Sequence, residues 1–414
     1  MSLRRDRPTG ARVLYLTYDG LTDPLGQSQV LPYLKGLAAR GHVITIVSCE
    51  KADARKARGE TVAAECRAAG LRWHPLRYRK RPPIVSTVID LLQMLWVASK
   101  LHRAHDFDLV HCRSYLPALI GRALQRRAGV RFIFDMRGFW IDERFERGIW
   151  PRNRFAYQVI AAWLRRKERE LFTRSEAVVS LTEAACRELA RRGGQLWADK
   201  TIVIPCCVDL AHFDPQGGEA RRAGRALVGL DDEAPVMLYL GSFGGAYPLA
   251  PVLRFFRSWA AGHDDARLLF VTRDAREQVL DHPDAAGLGN QLIFRSGERS
   301  EVPTLVAAAD VGLSFILPSF CAIASSPTKV GEMLAMGVPV AANDAVGDMD
   351  LIMKEPGAGV LLRDLSDAAV TAAVTRVPSR ARVASAARQV AKRWYALDRG
   401  VDAYDSLYRF LQKA

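Results

Sequence analysis

Two tandem α/β domains, each a doubly wound parallel sheet, are what the sequence predicts. Three observations carry the prediction. The chain has 414 residues, more than one hydrophobic core usually serves, so two domains of about 200 residues each are the default. Continuous apolar, β-branched runs alternate with helical patterns, as strands buried on both faces require. That alternation stops at a polar, Gly-rich stretch over 205–235 and then begins again.

In the first half the strand-length runs read RVLYLTYD from Arg12, HVITIVS from His42, LRWHPL from Leu71, DLVHCRS from Asp108, VRFIFDMR from Val130, EAVVSLT from Glu176 and TIVIP from Thr201. Helical patterns fill 30–40, 55–69, 87–104, 117–128 and 154–173. The stretch over 205–235 has no strand and reads as a connector. The second series runs VMLYLG from Val236, RLLFVT from Arg267, QLIFRS from Gln291, DVGLSFI from Asp310, VPVAAN from Val338 and GVLL from Gly359. The last segment, over 382–414, is helical and aromatic, with Trp394, Tyr395, Tyr404, Tyr408 and Phe410. The expected domains are 1–210, 211–385 and a terminal helical piece, 386–414, that returns to the first domain. Ligands of such sheets sit beyond the strand carboxyl ends, and two facing domains would line a cleft with them.

Composition narrows the class. With 49% hydrophobic and 25% charged residues the chain is globular rather than disordered or fibrous. Lys+Arg 59 against Asp+Glu 45 leaves +14, which favours anionic partners; a bias toward Arg in base composition is the other reading. No basic tract interleaves with aromatics, so nucleic acid is not an expected partner. Seven scattered cysteines without a CxxC pair argue against a disulfide framework or a zinc site and fit a reducing, cytoplasmic setting. The basic start MSLRRDRPTG leads into a strand-like run with no signal-peptide core, and no apolar run is long enough to span a bilayer.

The most informative stretch is ASSPTKVGEMLAMGVPVAAN, residues 324–343. Ser326 reads as a helix N-cap with Pro327 at the first helical position, and Gly337 and Pro339 as the stop. That predicts a helix of about three turns. Its amino end would offer free N–H groups, the hydroxyls of Ser325, Ser326 and Thr328, and the Lys329 ammonium, a set suited to a diphosphate. Glu332, three residues after Lys329, shares its face and can accept two hydrogen bonds from a ribose diol. The alternative is a plain capped helix with a solvated Lys329–Glu332 pair.

With these motifs in order, the chain resembles the retaining GT-B glycosyltransferases usually called group four. The opening LYLTYDGLTDPLGQSQVLPYLKGLAARGHVITIVS, the stretch TIVIPCCVDLAHFDP, the donor-site helix in SSPTKVGEMLAMGVPVAAND and the closing WYALDRGVDAYDSLYRFL all carry the resemblance, which covers residues 11–414. It implies a GT-B fold with the C-terminal helix crossing back to the first domain, a nucleotide-sugar donor, and no cofactor or metal. Two departures stand out. The family's first of two glutamates falls on Ala324, and its usual Asn-Gly falls on Cys206-Cys207. A third position differs as well: the family often has a histidine after the fifth strand, where this chain reads DMRGFW, so any such role passes to Asp135 or Arg137 or is absent.

The resemblance also implies donor contacts at Gly26 and Gln27 in the loop after the first strand, where Gly26 would let backbone approach a bulky ligand. It implies further contacts at Gly241 and Ser242 in LYLGSFGGAY. The basic residue the family has beyond that turn is missing, and the next is Arg254, so the cation is left to Lys329 or Arg273. The segment RSGERSEVP, 295–303, stands where the family holds the base. His111 and Arg113 end their strand on the same side and are acceptor-side candidates, although a packing role for His111 competes; His42 reads as structural.

The expected function is transfer of a sugar from a UDP-, GDP- or ADP-linked donor to a glycan or lipid-linked acceptor, with Lys329, Arg137 and Asp135 as the catalytic candidates. DMD at 348–350 falls in a loop and does not read as a metal motif. A nucleotide-sugar epimerase on the same scaffold and a non-catalytic sugar-nucleotide-binding subunit are the alternatives. A nicotinamide oxidoreductase would need GxGxxG where this chain has DGLTDPLG. Finally, RYRKRPPIVSTVIDLLQMLWVASKLHRAH sets Arg77, Arg79, Lys80, Arg81 and Lys100 around an apolar helix with Trp96. It reads either as a peripheral contact with an anionic membrane or as a core helix after a basic loop.

Overall fold

The computed structural model describes residues 10–231, 234–263 and 265–413, so most of the basic leader lies outside the described residues. Two compact units divide the chain. Unit 1 runs to Ile204 and resumes at Leu397; unit 2 is Pro205–Ala396.

Unit 1 is built on a seven-stranded, wholly parallel sheet: β1 (Arg12–Thr17), β2 (Val43–Glu50), β3 (Arg72–Arg77), β4 (Leu109–Arg113), β5 (Arg131–Asp135), β6 (Ala177–Ser180) and β7 (Thr201–Val203), ordered β3-β2-β1-β4-β5-β6-β7. Unit 2 repeats the plan with six parallel strands: β8 (Val236–Leu240), β9 (Arg267–Val271), β10 (Leu292–Arg295), β11 (Val311–Ser314), β12 (Val340–Asn343) and β13 (Gly359–Leu362), ordered β10-β9-β8-β11-β12-β13. In each sheet the order reverses beside the first strand. Right-handed crossovers then place helices on both faces, and the central strands β4, β8 and β11 are buried along their whole length. That is why they read as unbroken apolar runs. Each reversal also opens a crevice at the strand carboxyl ends, between β1 and β4 in one sheet and between β8 and β11 in the other.

The boundaries differ from those expected. The stretch over 205–235 belongs to unit 2 and carries a helix, Glu219–Val228. It is anchored by Arg225, whose buried guanidinium donates to the Asp231 and Ala234 carbonyls and to Asp310 at 2.8 Å. The helix Arg380–Trp394 also stays with unit 2 rather than with the terminal piece. Arg388 donates to the Phe213 and Ala335 carbonyls at 2.8 and 2.7 Å, and Arg380 to the Met336 carbonyl at 2.9 Å.

Only the helix Leu397–Lys413 belongs to unit 1. His42 lies 2.8 Å from Asp405 and accepts from the Ala11 N–H at 3.0 Å, and Arg131 donates to the Leu411 carbonyl at 2.6 Å. His42 is therefore a structural residue, tying β1 to the last helix.

Candidate functional site

The loop after β8 and the segment after β11 meet at the unit 2 crevice. Gly241 follows β8 with φ +110°, a conformation that suits glycine. Beyond it Gly244 and Tyr247 pair back to back at 3.0 Å, and the Leu317 N–H donates to the Ala246 carbonyl at 2.8 Å, joining this loop to the β11 side. Asn343, at the end of β12, locks the same region by bonding both the N–H and the carbonyl of Ile316 at 2.9 Å.

From there the chain turns through a short 3-10 segment, Cys321–Ala324, into the helix Thr328–Ala335. That helix is shorter than expected and opens one residue later, at Thr328. Pro327, with ψ 104°, is its N-cap, and Ser326 does not cap it: the Ser326 hydroxyl accepts the Cys206 N–H at 3.1 Å. The amino end still lies in the crevice. The Thr328 and Lys329 amides have no acceptor within the helix, the Val330 N–H donates to the Pro327 carbonyl at 3.0 Å, and Ser325 and Thr328 are half-buried beside them.

Lys329 extends from that first turn toward Gly241. Its ammonium lies 3.6 Å from the point a Cβ on Gly241 would occupy. It sits over two tyrosine rings, 4.0 Å from the centroid of Tyr247 and 5.2 Å from that of Tyr239. Burial pushes this ammonium down to about 8, with Glu332 pulling the other way. Aromatic faces attract a cation without neutralising it as a carboxylate would. The Tyr239 hydroxyl, donating to the Ser242 carbonyl at 2.7 Å, fixes one ring. Ser242 is exposed on the turn.

Glu332 is one turn further along the same face. Arg299 approaches its carboxylate at 3.9 Å, beyond hydrogen-bond reach. Burial raises the Glu332 carboxyl, against the opposing pull of Arg299 and Lys329. Arg299 is held by its carbonyl, 3.0 Å from His212 Nε2. Sequence reasoning missed Tyr239, Tyr247, Asn343 and Arg299. The aromatic pair bracketing Gly241 was the available signal.

Arg273 does not join this corner. It lines an adjacent groove of about 570 Å³ with Arg295, Ser296 and Gly297, 3.2 Å from Glu298. Arg254 is engaged elsewhere, with Asp367 at 3.1 Å. The cation at the turn is therefore Lys329.

In unit 1 the expected residues are mostly turned inward. His111 and Asp135, 2% and 1% exposed, lie inside the unit against the helix Leu397–Lys413. The Tyr408 hydroxyl is 2.6 Å from His111 Nδ1, Asp135 is 3.4 Å from His111 Nε2, and Tyr404 donates to Asp135 at 3.2 Å. Burial lowers His111. Burial alone would raise Asp135, but Arg137, with a nitrogen 3.8 Å away, and His111 outweigh it and hold the carboxyl below its usual range. Arg113 is buried and donates to Asp19 at 3.3 Å. The enclosed space beside them, of about 10 Å³, is water-sized at most. His111, Arg113 and Asp135 are therefore corrected from substrate-facing to interior groups. Arg137, half-buried, is the one of the four with an accessible edge.

Gly26 is corrected too. A Cβ there would run into the Gly20 carbonyl and lie 2.6 Å from Leu21 Cα; its bare backbone serves the packing of its own loop. Gln27 donates to the Leu21 carbonyl at 2.7 Å in the same loop. The loop is held from below by buried Glu50, which accepts the Leu21 and Thr22 N–H groups at 2.8 and 3.1 Å.

Comparison with known proteins agrees with this architecture. Residues 26–207 match the family described as Glycosyl transferase 4-like domain, and residues 234–379 match Glycosyl transferases group 1. No curated protein matches the chain. Among solved structures, sucrose-phosphate synthase from Thermosynechococcus elongatus aligns with TM-score 0.71 at 16% identity, over 97% of this chain and 99% of that one. WaaG, a glycosyltransferase involved in lipopolysaccharide biosynthesis, aligns with TM-score 0.68 at 15% identity, over 95% and 99%. The Anabaena protein HepE, solved with UDP and glucose, aligns with TM-score 0.66 at 15% identity, over 96% and 99%. At these identities the likeness is one of fold.

Proposed function

The chain belongs to the GT-B glycosyltransferases of the group-four type, and from that premise we propose that it is a retaining, metal-independent enzyme using a nucleotide-diphosphate sugar. The observation that carries the proposal is the Lys329 ammonium at the amino end of the helix Thr328–Ala335, lodged beside Gly241, with Glu332 on the same face. A diphosphate laid across this corner meets a cation, helix amides and the dipole together. In this reading Glu332 accepts the ribose hydroxyls, and the groove lined by Arg295, Ser296 and Gly297 holds the base.

In the proposed reaction the bond from the anomeric carbon to the diphosphate oxygen breaks, and its electrons leave with the diphosphate. The acceptor oxygen bonds the same face of that carbon, and the acceptor proton passes to the departing phosphate. Charge grows on the diphosphate as the bond breaks. Lys329 and the helix end, fixed beforehand, stabilise it, and their positive charge serves the purpose a divalent cation would serve. Ser325, Ser326 and Thr328 shape the phosphate seat, and Gly241 and Ser242 offer backbone to the donor. Arg137 is the catalytic candidate retained in unit 1. Cell-surface polysaccharide or lipid-linked glycan is the proposed product class. The complexes of HepE with UDP and with UDP-glucose make uridine donors the first to try.

The test is thermal-shift stabilisation by UDP, GDP and ADP, followed by donor-dependent nucleotide release with glycan and lipid-linked acceptors. Stabilisation by one nucleotide and acceptor-dependent release support the reading. Binding without turnover would favour a sugar-nucleotide-binding subunit, the reading that Ala324, buried where the family has a glutamate, leaves open.

A further inference from the structure

The helix Val85–His105 is amphipathic the wrong way round for a core helix. Ser86, Asp90, Met94 and Ala98 face the interior, and Asp90 is held there by the Tyr18 hydroxyl at 3.1 Å and by Arg79 at 2.7 Å. Val85, Val88, Ile89, Leu92 and Trp96 form one outward stripe at helical spacing, with Leu92 61% and Trp96 62% exposed. Further along the same stripe come Lys100, its ammonium 5.5 Å from the Trp96 ring centroid, and Arg103.

The helix Phe155–Arg174 repeats the arrangement. Phe155, 78% exposed, Val159 and Trp163 face outward in its first turns, and Arg166 and Arg169 follow. The helix Tyr115–Ala128 touches both, so the three form one layer on one face of the unit 1 sheet. The two outer helices lead into β4 and β6, which are parallel, so both run in the same sense. Their apolar first halves therefore lie at the same edge of the layer, where the strands end, on either side of the helix Tyr115–Ala128. Exposed Lys80 and Arg81 precede the first helix, and Arg152 and Arg154 precede the second. The acids of both helices are withdrawn: Asp90 and Glu168 are buried, and Glu170 is paired with Arg122 and Lys167 at 2.8 Å.

We infer that this layer of unit 1 docks on an anionic phospholipid surface. Apolar side chains enter the acyl boundary, tryptophans lie at the interface, and the arginines and lysines meet headgroup phosphates. The basic frame with its acids withdrawn favours a lipid surface over a protein groove. Among the described residues no helix is long and apolar enough to cross a membrane, so the contact is peripheral. It lays the outward face of this helix layer on the lipid, and it is independent of the donor-site reading.

The test is co-sedimentation of the full chain with vesicles of phosphatidylcholine alone or mixed with phosphatidylglycerol. The wild type should bind the mixed vesicles, more weakly in high salt, with a blue shift of tryptophan emission. The exposed double variants Leu92→Glu with Trp96→Glu, and Phe155→Glu with Trp163→Glu, should each bind at least about tenfold more weakly. Lys80→Ala with Arg81→Ala should weaken binding by about fivefold per charge. All should keep wild-type nucleotide affinity, which separates failure here from failure of the donor site. No binding to the mixed vesicles at low salt, or binding unchanged in both apolar variants, would overturn the inference. So would a wild-type dimer that these variants dissolve, which would make a second copy the occupant.

Discussion

Lys329 rests over Tyr247, its ammonium 4.0 Å from the ring centroid, so the positive charge at the donor corner is positioned by an aromatic face. Burial holds it near 8, whereas a free lysine titrates near about 10.4. Between those values the unfolded chain binds a proton that the folded chain does not. This group's contribution to stability is therefore lowest below 8 and rises with pH across that window. A diphosphate should pull the ammonium back toward its ordinary value. Nucleotide binding just above pH 8 should then take up protons, and affinity should fall as pH rises through that range. Calorimetry in buffers of different ionisation enthalpy checks it. Proton-neutral binding would remove Lys329 from the phosphate.

Glu332→Ala should act mainly on donor affinity. Hydrogen bonds to a charged acceptor are worth about 1.5–3 kcal/mol each, so nucleotide affinity should fall at least about tenfold while turnover at saturating donor changes little. A collapse of turnover with unchanged affinity would give Glu332 a different task.

Asp135→Asn tests the interior reading of the unit 1 cluster. Removing one partner of a buried charge pair costs about 3–5 kcal/mol, to be read from urea unfolding. The depressed Asp135 carboxyl contributes stability that is fully present above its unfolded value of about 3.9 and is lost as pH falls through its lower folded value. The variant should lack that acid limb and bind nucleotide as the wild type does. Unchanged stability with abolished turnover would return Asp135 to the catalytic machinery.

Gly26→Ala should destabilise unit 1, because the new methyl has no room beside Gly20 and Leu21. Overpacking of this kind costs about 1–3 kcal/mol, readable as a lower urea midpoint. An unchanged midpoint would show that the loop yields, and would restore the ligand-facing role for Gly26.

The two sheets were legible because parallel, doubly covered strands must be predominantly apolar, as VMLYLG and DVGLSFI are. The donor helix was legible in kind but not in register. Ser326-Pro327 looks like a cap and first turn, yet the Cys206 N–H, 120 residues away in sequence, occupies the serine. His111 and Asp135 ended strands and so looked site-facing. What turns them into core is Tyr404 and Tyr408 on the last helix, 269 residues beyond Asp135 in the first case, and no local pattern announces that packing. The helix Val85–His105 showed its apolar stripe and its basic flanks in sequence. That the stripe faces outward depends on Asp90 pairing with Tyr18 and Arg79, a tertiary fact.

Turnover of Lys329→Ala, followed as donor-dependent nucleotide release under conditions where the wild type is active, bears most directly on the donor corner. A drop of at least about a hundredfold, the scale of losing a charge partner in the transition state, in a variant that melts no lower than the wild type is the expected result. Near wild-type release would contradict it.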